Sequence, residues 1–476
     1  NLNLNSRFSE HNDHRYGGTV GFNAGKFNSL TNVQYNNVDT YGVDNLGDFS
    51  TVFGSRVWNF KERLIYHPLE TLKLTARAGY YFRERNKPGD TQDRYRDFNG
   101  GLKANYTFNT LSNLEVGYTF DQYDKSDYQV LYKNDVRDYS NVQHNVHALY
   151  NYTFNEKHTL TVGADYLRDY LMSYQFTDNA NYIMHTADAF GQFDWNPTER
   201  LNVIAGLRFD YFSDSNVRHL SPHLGMMYKI GNCSLRGSYS QGFRSPTLKE
   251  MYMVFNMANM MMIYGNPDLK SETSHNFSLS AEYTKNRYNF SVTGYYNLVH
   301  NRINTVYSDD PKGQIYTNTD KVDIAGVDAN ISAKYPCGLG FRMSYTYIHE
   351  FMRDGQKKFT DTRPHTATVR VDWGENLDKV DFNYSLNGRI LSEVKTNVYN
   401  DSFNNPAAGS TAVTYPGYMI WDLTFSVGVF KGVNMNLAIN NLFNYVPDYY
   451  YFNSPTTTGA NLTLGLSLDI DRFFKK

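Results

Sequence analysis

Two cysteines in 476 residues are too few to staple the chain, so a disulfide framework is excluded. No run of about 18 apolar residues occurs, which excludes a membrane-spanning helix and leaves a closed β-barrel as the only way for such a chain to cross a bilayer. Neither sign of charge dominates: 46 Lys+Arg stand against 48 Asp+Glu, for a formal net charge of -2. The electrostatic footprint of a phosphate binder is therefore missing, and nucleic acid is not an expected partner. Stretches with a helical period of 3.6 are also missing. So are a Gly-x-Ser-x-Gly elbow, a His-Glu-x-x-His pair, a phosphate-cradling glycine loop and a Cys/His ladder at zinc spacing, which leaves an enzymatic reading without support. Tyrosine and phenylalanine are abundant, at 41 and 31 residues, too many for a disordered chain. The length exceeds one ordinary core unless the chain closes a barrel or forms a repeat.

Alternation with a period of two runs through the sequence. In Ala460–Ile470, Leu462, Leu464, Leu466, Leu468 and Ile470 fall on one face, with Asn461, Thr463, Gly465, Ser467 and Asp469 on the other. Leu235, Gly237, Tyr239 and Phe243 oppose Arg236, Ser238 and Ser240 in the same way, and Phe277, Leu279, Ala281 and Tyr283 oppose Ser278, Ser280 and Glu282. These are antiparallel strands with one oily and one wet face.

Short turn signals recur at Ala24–Ser29, His67–Leu72, Thr110–Asn113, Asn155–His158, Asn196–Arg200, Gly231–Ser234, Lys285–Arg287, Pro336–Gly340, Gly374–Asp378 and Lys431–Val433. Longer polar stretches alternate with them, at Tyr41–Ser55, Asp124–Ser140, Arg244–Ser271, Asn301–Asp320 and Ser392–Tyr415. Short turns on one side and long loops on the other are the asymmetry of an outer-membrane barrel; about ten turns and about eleven loops require roughly 22 strands. The expected fold is all-β, a transmembrane antiparallel barrel over residues 1–476.

Aromatic residues precede the turns: Phe22, Tyr66, Phe108, Phe154, Trp195, Tyr228, Tyr283, Tyr335, Trp373 and Phe430. Rings at one height read as an interfacial girdle. A propeller shares the spacing of the hairpins but would carry shorter strands and a repeated Trp-Asp blade signature, which is absent. Cys233 and Cys337 fall in separate short turns, too far apart for a bridge.

Several segments then carry a family resemblance. Gly242-Phe243-Arg244-Ser245-Pro246-Thr247-Leu248-Lys249-Glu250-Met251-Tyr252 precedes Gly265-Asn266-Pro267-Asp268-Leu269-Lys270-Ser271-Glu272. Further on come Ile324-Ala325-Gly326-Val327-Asp328, Arg363-Pro364-His365-Thr366-Ala367, Tyr415-Pro416-Gly417-Tyr418 with Trp421-Asp422-Leu423, and Asn440-Asn441-Leu442-Phe443-Asn444-Tyr445. In this order they resemble the TonB-dependent receptors of Gram-negative outer membranes, especially the haem, iron-siderophore and cobalamin types. The resemblance implies 22 strands, places Arg244–Glu272 in the seventh outer loop, and makes Asn1–Asn5 the first barrel strand after a plug domain. Plug and energy-coupling box are not in this sequence, which is expected to be a processed or excised piece.

The implied function is active uptake of a scarce, large ligand, haem or an iron chelate first and cobalamin as the alternative, with a passive plugless pore as the alternative of another class. No intrinsic cofactor is expected. Partners would be outer-membrane lipid, the plug, the TonB–ExbB–ExbD complex acting through it, and a surface lipoprotein. Ligand-binding candidates lie in the seventh loop: Arg244, Lys249, Met251, Tyr252, Met253, Met257, Met260, Met261, Met262, Tyr264, Asn266 and Asp268. Arg244 and Lys249 suit carboxylate or phosphate groups, though Arg244 could instead brace Asp268 or Glu272. The methionines offer soft sulfur for haem iron or Cu(I), or an adaptable apolar surface. His11, His14 and His275 are positions where a metal or haem ligand could be placed.

Overall fold

The computed structural model describes residues 1–43, 51–177, 180–213, 217–257, 261–309, 311–319, 321–351, 362–377, 380–400, 409–447 and 457–474. Twenty-two strands close one antiparallel sheet. They are β1 (Leu2–Phe8), β2 (His14–Ala24), β3 (Phe27–Val38), β4 (Ser55–Leu69), β5 (Leu72–Asn86), β6 (Thr91–Asn109), β7 (Ser112–Gln129), β8 (Asn134–Phe154), β9 (His158–Ser173), β10 (Asn181–Trp195) and β11 (Leu201–Phe212). The second half adds β12 (Val217–Ile230), β13 (Cys233–Arg244), β14 (Glu272–Lys285), β15 (Tyr288–His300), β16 (Val322–Lys334), β17 (Leu339–Phe351), β18 (His365–Leu377), β19 (Val380–Leu391), β20 (Tyr418–Phe430), β21 (Val433–Asn440) and β22 (Asn461–Asp469). Each strand pairs with its neighbours in sequence, and β1 closes on β22 from Asn3↔Asp469 to Phe8↔Leu464. Closure leaves no edge, so every strand has a backbone partner on both sides.

Register explains which face is oily. Leu235, Gly237 and Tyr239 lie opposite Ala281, Leu279 and Phe277, so the apolar positions of neighbouring strands join into one continuous outer surface. Leu279 is 74% exposed on it, and Leu462, Leu464 and Leu466 each keep nearly half their surface open. In a soluble protein these would be costly; against lipid each such side chain contributes about 2 kcal/mol on leaving water. The polar residues between them point into the lumen, where Ser238 and Ser278 share a 2.7 Å hydrogen bond and Arg236 pairs with Glu282 at 2.7 Å.

Nine of the ten short turns fall between consecutive strands as expected; at Gly374–Asp378 the strand β18 instead runs on through Leu377, paired with β19 as far as Leu377↔Val380, and Asp378 lies outside the described residues. Gly25 and Gly231, each at φ 57°, supply the left-handed corner that two such turns require. Nine of the ten aromatic residues that precede the turns are exposed on the outer face, from Tyr283 at 38% to Phe430 at 68%, with Tyr335 half-buried. The loops are less uniform than the polar stretches suggested. Asp124–Ser140 is almost wholly strand, because β7 runs to Gln129 and β8 begins at Asn134; charged residues there still alternate and pair across strands above the bilayer. Parts of Tyr41–Ser55, Asn301–Asp320 and Ser392–Tyr415 lie outside the described residues. Cys233 and Cys337 are both free.

Candidate functional site

The seventh outer loop is a folded lid rather than a flexible connection. Arg244, the last residue of β13, donates from Nε and Nη2 to Glu272 at 3.0 and 2.9 Å, and from Nη1 to both carboxylate oxygens of Glu250 at 2.8 and 2.9 Å. The guanidinium thus ties the two ends of the loop together with bidentate, charge-assisted bonds. Of the two readings of Arg244, the brace is what the geometry provides, with Glu250 joining Glu272 in place of Asp268. Hydrogen bonding to Glu272 holds the guanidinium above its ordinary pKa despite burial. Burial works against charge on Glu272, but the bond from Arg244 and another from the Ile303 amide outweigh it and hold the carboxyl below its ordinary range.

After Pro246 the chain enters α1 (Leu248–Tyr252), a single turn capped by Thr247, whose hydroxyl accepts from the Glu250 amide while Glu250 accepts from the Thr247 amide. Leu248 and Met251, each 2% exposed, pack against Leu171, Phe176 and Met184 at the top of β9 and β10. Tyr252 stacks on Tyr182 with centroids 4.0 Å apart. A hairpin follows, Val254–Met257 against Met261–Tyr264, and its second strand runs parallel to Lys312–Thr319 of the next loop, which pairs with Arg302–Asp309. The seventh and eighth loops therefore share one four-stranded sheet over the mouth. Asn266 donates to the Tyr316 carbonyl at 3.1 Å and accepts from the Asp268 amide at 2.9 Å, closing the junction.

This sorts the candidate residues. Met251 and Met253 are buried, Met251 against the tops of β9 and β10; Met257, Met261, Met262 and Tyr264 are half-buried on the lid's sheet, and Met260 lies outside the described residues. Asp268 is exposed. Lys249 stands with its Nζ 4.9 Å from the centre of the Tyr139 ring, and burial pushes its pKa down. His11 stacks on Tyr41 at 4.0 Å, and His14 lies 3.2 Å from the Asn12 side-chain oxygen. His275 stands on the outer face of the wall, hydrogen-bonded to the Tyr239 hydroxyl at 3.0 Å. Among the described residues no group of three or more His, Cys, Asp or Glu could hold a metal ion.

The other sequence segments also meet in space. Arg363, 7% exposed, donates to the carbonyls of Ser392 and Pro416 at 2.5 and 2.7 Å and lies over the Tyr418 ring. Asp422 accepts from the Asn441 amide at 2.8 Å, and the Asn441 amide side chain bonds both ways with the Tyr445 backbone. Arg363 thus clasps the two ends of the loop between β19 and β20, while Asn441 ties the start of the last outer loop to β20.

Facing the lid is a surface that sequence motifs did not reveal. Cross-strand register aligns Arg83, Tyr95, Lys125 and Tyr139 as one inward row over β5 to β8. Arg83 lies over the Tyr95 ring at 5.8 Å and Lys125 over Tyr174 at 4.9 Å. Lys125 is paired with Asp138 at 2.9 Å, whereas Arg83 has no carboxylate within ion-pair distance among the described residues. Alternate basic and aromatic residues in a strand pair were the available signal, but only the register shows that they share a row.

A closed barrel with an apolar exterior, a polar lumen and a loop-built lid defines an outer-membrane β-barrel protein. The family described as "TonB dependent receptor-like, beta-barrel" matches residues 3–442, and the chain belongs to it. Among curated proteins, the iron-regulated outer membrane virulence protein of Vibrio cholerae is 24% identical over 297 residues, covering 58% of this chain and 43% of that protein. The heme/hemopexin utilization protein C of Haemophilus influenzae is 22% identical over 335 residues, covering 59% and 44%. The chain thus spans less than half the length of these curated relatives. Among solved structures, the siderophore receptor PirA from Acinetobacter baumannii superposes with a TM-score of 0.78 at 16% identity, covering 98% of this chain and 80% of that one. A variant of the ferric enterobactin receptor PfeA from Pseudomonas aeruginosa gives 0.79 at 15% identity, covering the same shares. At such identities the superpositions establish fold.

Proposed function

We propose that this barrel is the wall and mouth of a receptor for active uptake of an iron-bearing ligand, haem or a ferric siderophore, and that it acts as a transporter with no catalytic step. The observation that carries the reading is the inward row of Arg83, Tyr95, Lys125 and Tyr139, completed from the lid by Lys249. Cations set over tyrosine rings suit a ligand that is anionic and has flat aromatic faces, since the ring faces favour positive charge and the cations keep donors for carboxylate or catecholate oxygen. The names of the curated relatives point the same way, to iron-regulated and haem-utilizing proteins. Transport would further need a plug in the lumen, coupling to TonB–ExbB–ExbD through it, and for some ligands a surface lipoprotein.

The full-length protein, titrated with haemin, a ferric catecholate and cyanocobalamin, tests this. Binding of haemin or the catecholate tighter than about 1 μM, a free energy of about 8 kcal/mol, is expected. Tight binding of cyanocobalamin alone, or of none of the three, overturns it.

A further inference from the structure

The outer face of the same strands carries a second row, at a different height and with a different chemistry. His144 of β8 lies opposite Arg168 of β9, and Arg168 lies opposite His185 of β10, so two imidazoles flank one guanidinium on a single cross-strand line. All three share the lipid-facing side with Val146, Tyr166 and Ala187 of the next line. Each histidine is held the same way: the Tyr118 hydroxyl meets His144 Nδ1 at 2.9 Å, and the Tyr166 hydroxyl meets His185 Nδ1 at 2.7 Å. Both bonds fix the ring and leave Nε2 without a hydrogen-bond partner among the described residues.

The height of the row follows from residue counts. His144 is ten residues from Phe154, and His185 is ten from Trp195, both members of the periplasmic girdle. Ten residues in a strand tilted by 35–45° climb about 25 Å, the height of the apolar band. The row therefore sits where the outer hydrocarbon boundary meets the headgroups. Its surroundings contain little negative charge. Phe120 faces His144 from β7, Tyr166 and Tyr170 flank Arg168 along β9, and Tyr211 is the titratable group on β11. The nearest outward carboxylate among the described residues, Asp124, lies two lines above and 3.6 Å from Arg137. Arg168 has no ion-pair partner among the described residues.

We infer that His144, Arg168 and His185 form a binding site for the phosphate of a lipid headgroup in the outer leaflet. Arg168 supplies a permanent charge, and the Nε2 atoms of the two imidazoles stand on either side of it, open to hydrogen bonds with phosphate oxygen. Affinity for an anionic headgroup should therefore depend most on Arg168 and less on the two histidines.

Native mass spectrometry of the folded protein with phosphatidylglycerol tests the site against zwitterionic phosphatidylcholine. Retained phosphatidylglycerol should exceed retained phosphatidylcholine about threefold, the size of an exposed ion-pair effect. R168Q should abolish that preference, and H144F/H185F, which keeps the rings and removes both Nε2 atoms, should reduce it. Heat-modifiable mobility confirms that each variant is a closed barrel. Equal retention of the two lipids by the native protein, an unchanged preference in R168Q, or competition by millimolar inorganic phosphate with no lipid preference would each overturn the site.

Discussion

The base of the lid and the wall opposite both set cations beside rings and carboxylates, yet they use them differently. Arg244 has its guanidinium divided between Glu250 and Glu272, four charge-assisted bonds that join segments of the same loop. Arg83 and Lys249 lie over tyrosine rings and have no ion-pair partner among the described residues. A cation satisfied by carboxylates holds the architecture in place. A cation presented on an aromatic ring still has donors to give, and that marks a surface able to take an anion.

The sharpest way to break the comparison is Arg244→Met, which leaves Glu250 and Glu272 facing each other without a counter-charge. Local opening of residues 247–257 and 261–269 should become easier by about 2 kcal/mol, a figure already lowered for partial exposure, as read by amide hydrogen exchange. Arg83→Met or Lys249→Met should leave that exchange unchanged and weaken the anionic iron ligand about fivefold, checked by titration of the full-length protein. Equal effects of the two classes on exchange would erase the distinction.

Acid provides a subtler probe. The Glu272 carboxyl is held below its ordinary value in the folded protein, so its stabilisation is complete above the unfolded value and disappears as pH falls through the folded one. Lid exchange should therefore accelerate below about pH 4, and the Arg244→Met variant should not show the added dependence. The smallest effect expected is from Met257→Leu, Met261→Leu and Met262→Leu together, which keep the apolar volume. Affinity should stay within about 0.5 kcal/mol if these side chains only pack; a changed haem absorbance spectrum would show sulfur on the iron.

Strand number and facing were open to sequence reasoning because they rest on local signals. A period of two fixes inside and outside, and short Asn-, Gly- and Lys-rich turns fix where strands reverse. The motifs around Arg244, Arg363 and Asn441 were visible as strings, but their role as clasps was not, since Arg363 meets Pro416 and Arg244 meets Glu272 only after distant strands are brought together. The row from Arg83 to Tyr139 and the row from His144 to His185 were hidden for the same reason. Each depends on the register of three or four strands, and a slip of one residue would turn every member to the other face. Burial of Met251 was likewise settled by tertiary packing against Leu171 and Met184.

The seam between β1 and β22 carries a consequence for assembly. Leu4 and Phe8 find their partners at Leu468 and Leu464, so the first strand made waits for nearly the whole chain to be synthesised before its free side is covered. Until then two ragged margins face each other across an unfinished cylinder, each ready to adopt a stranger's strand. Loss of the last dozen residues would thus be felt as clumping of the entire molecule, while trimming an external loop of equal length would pass almost unnoticed.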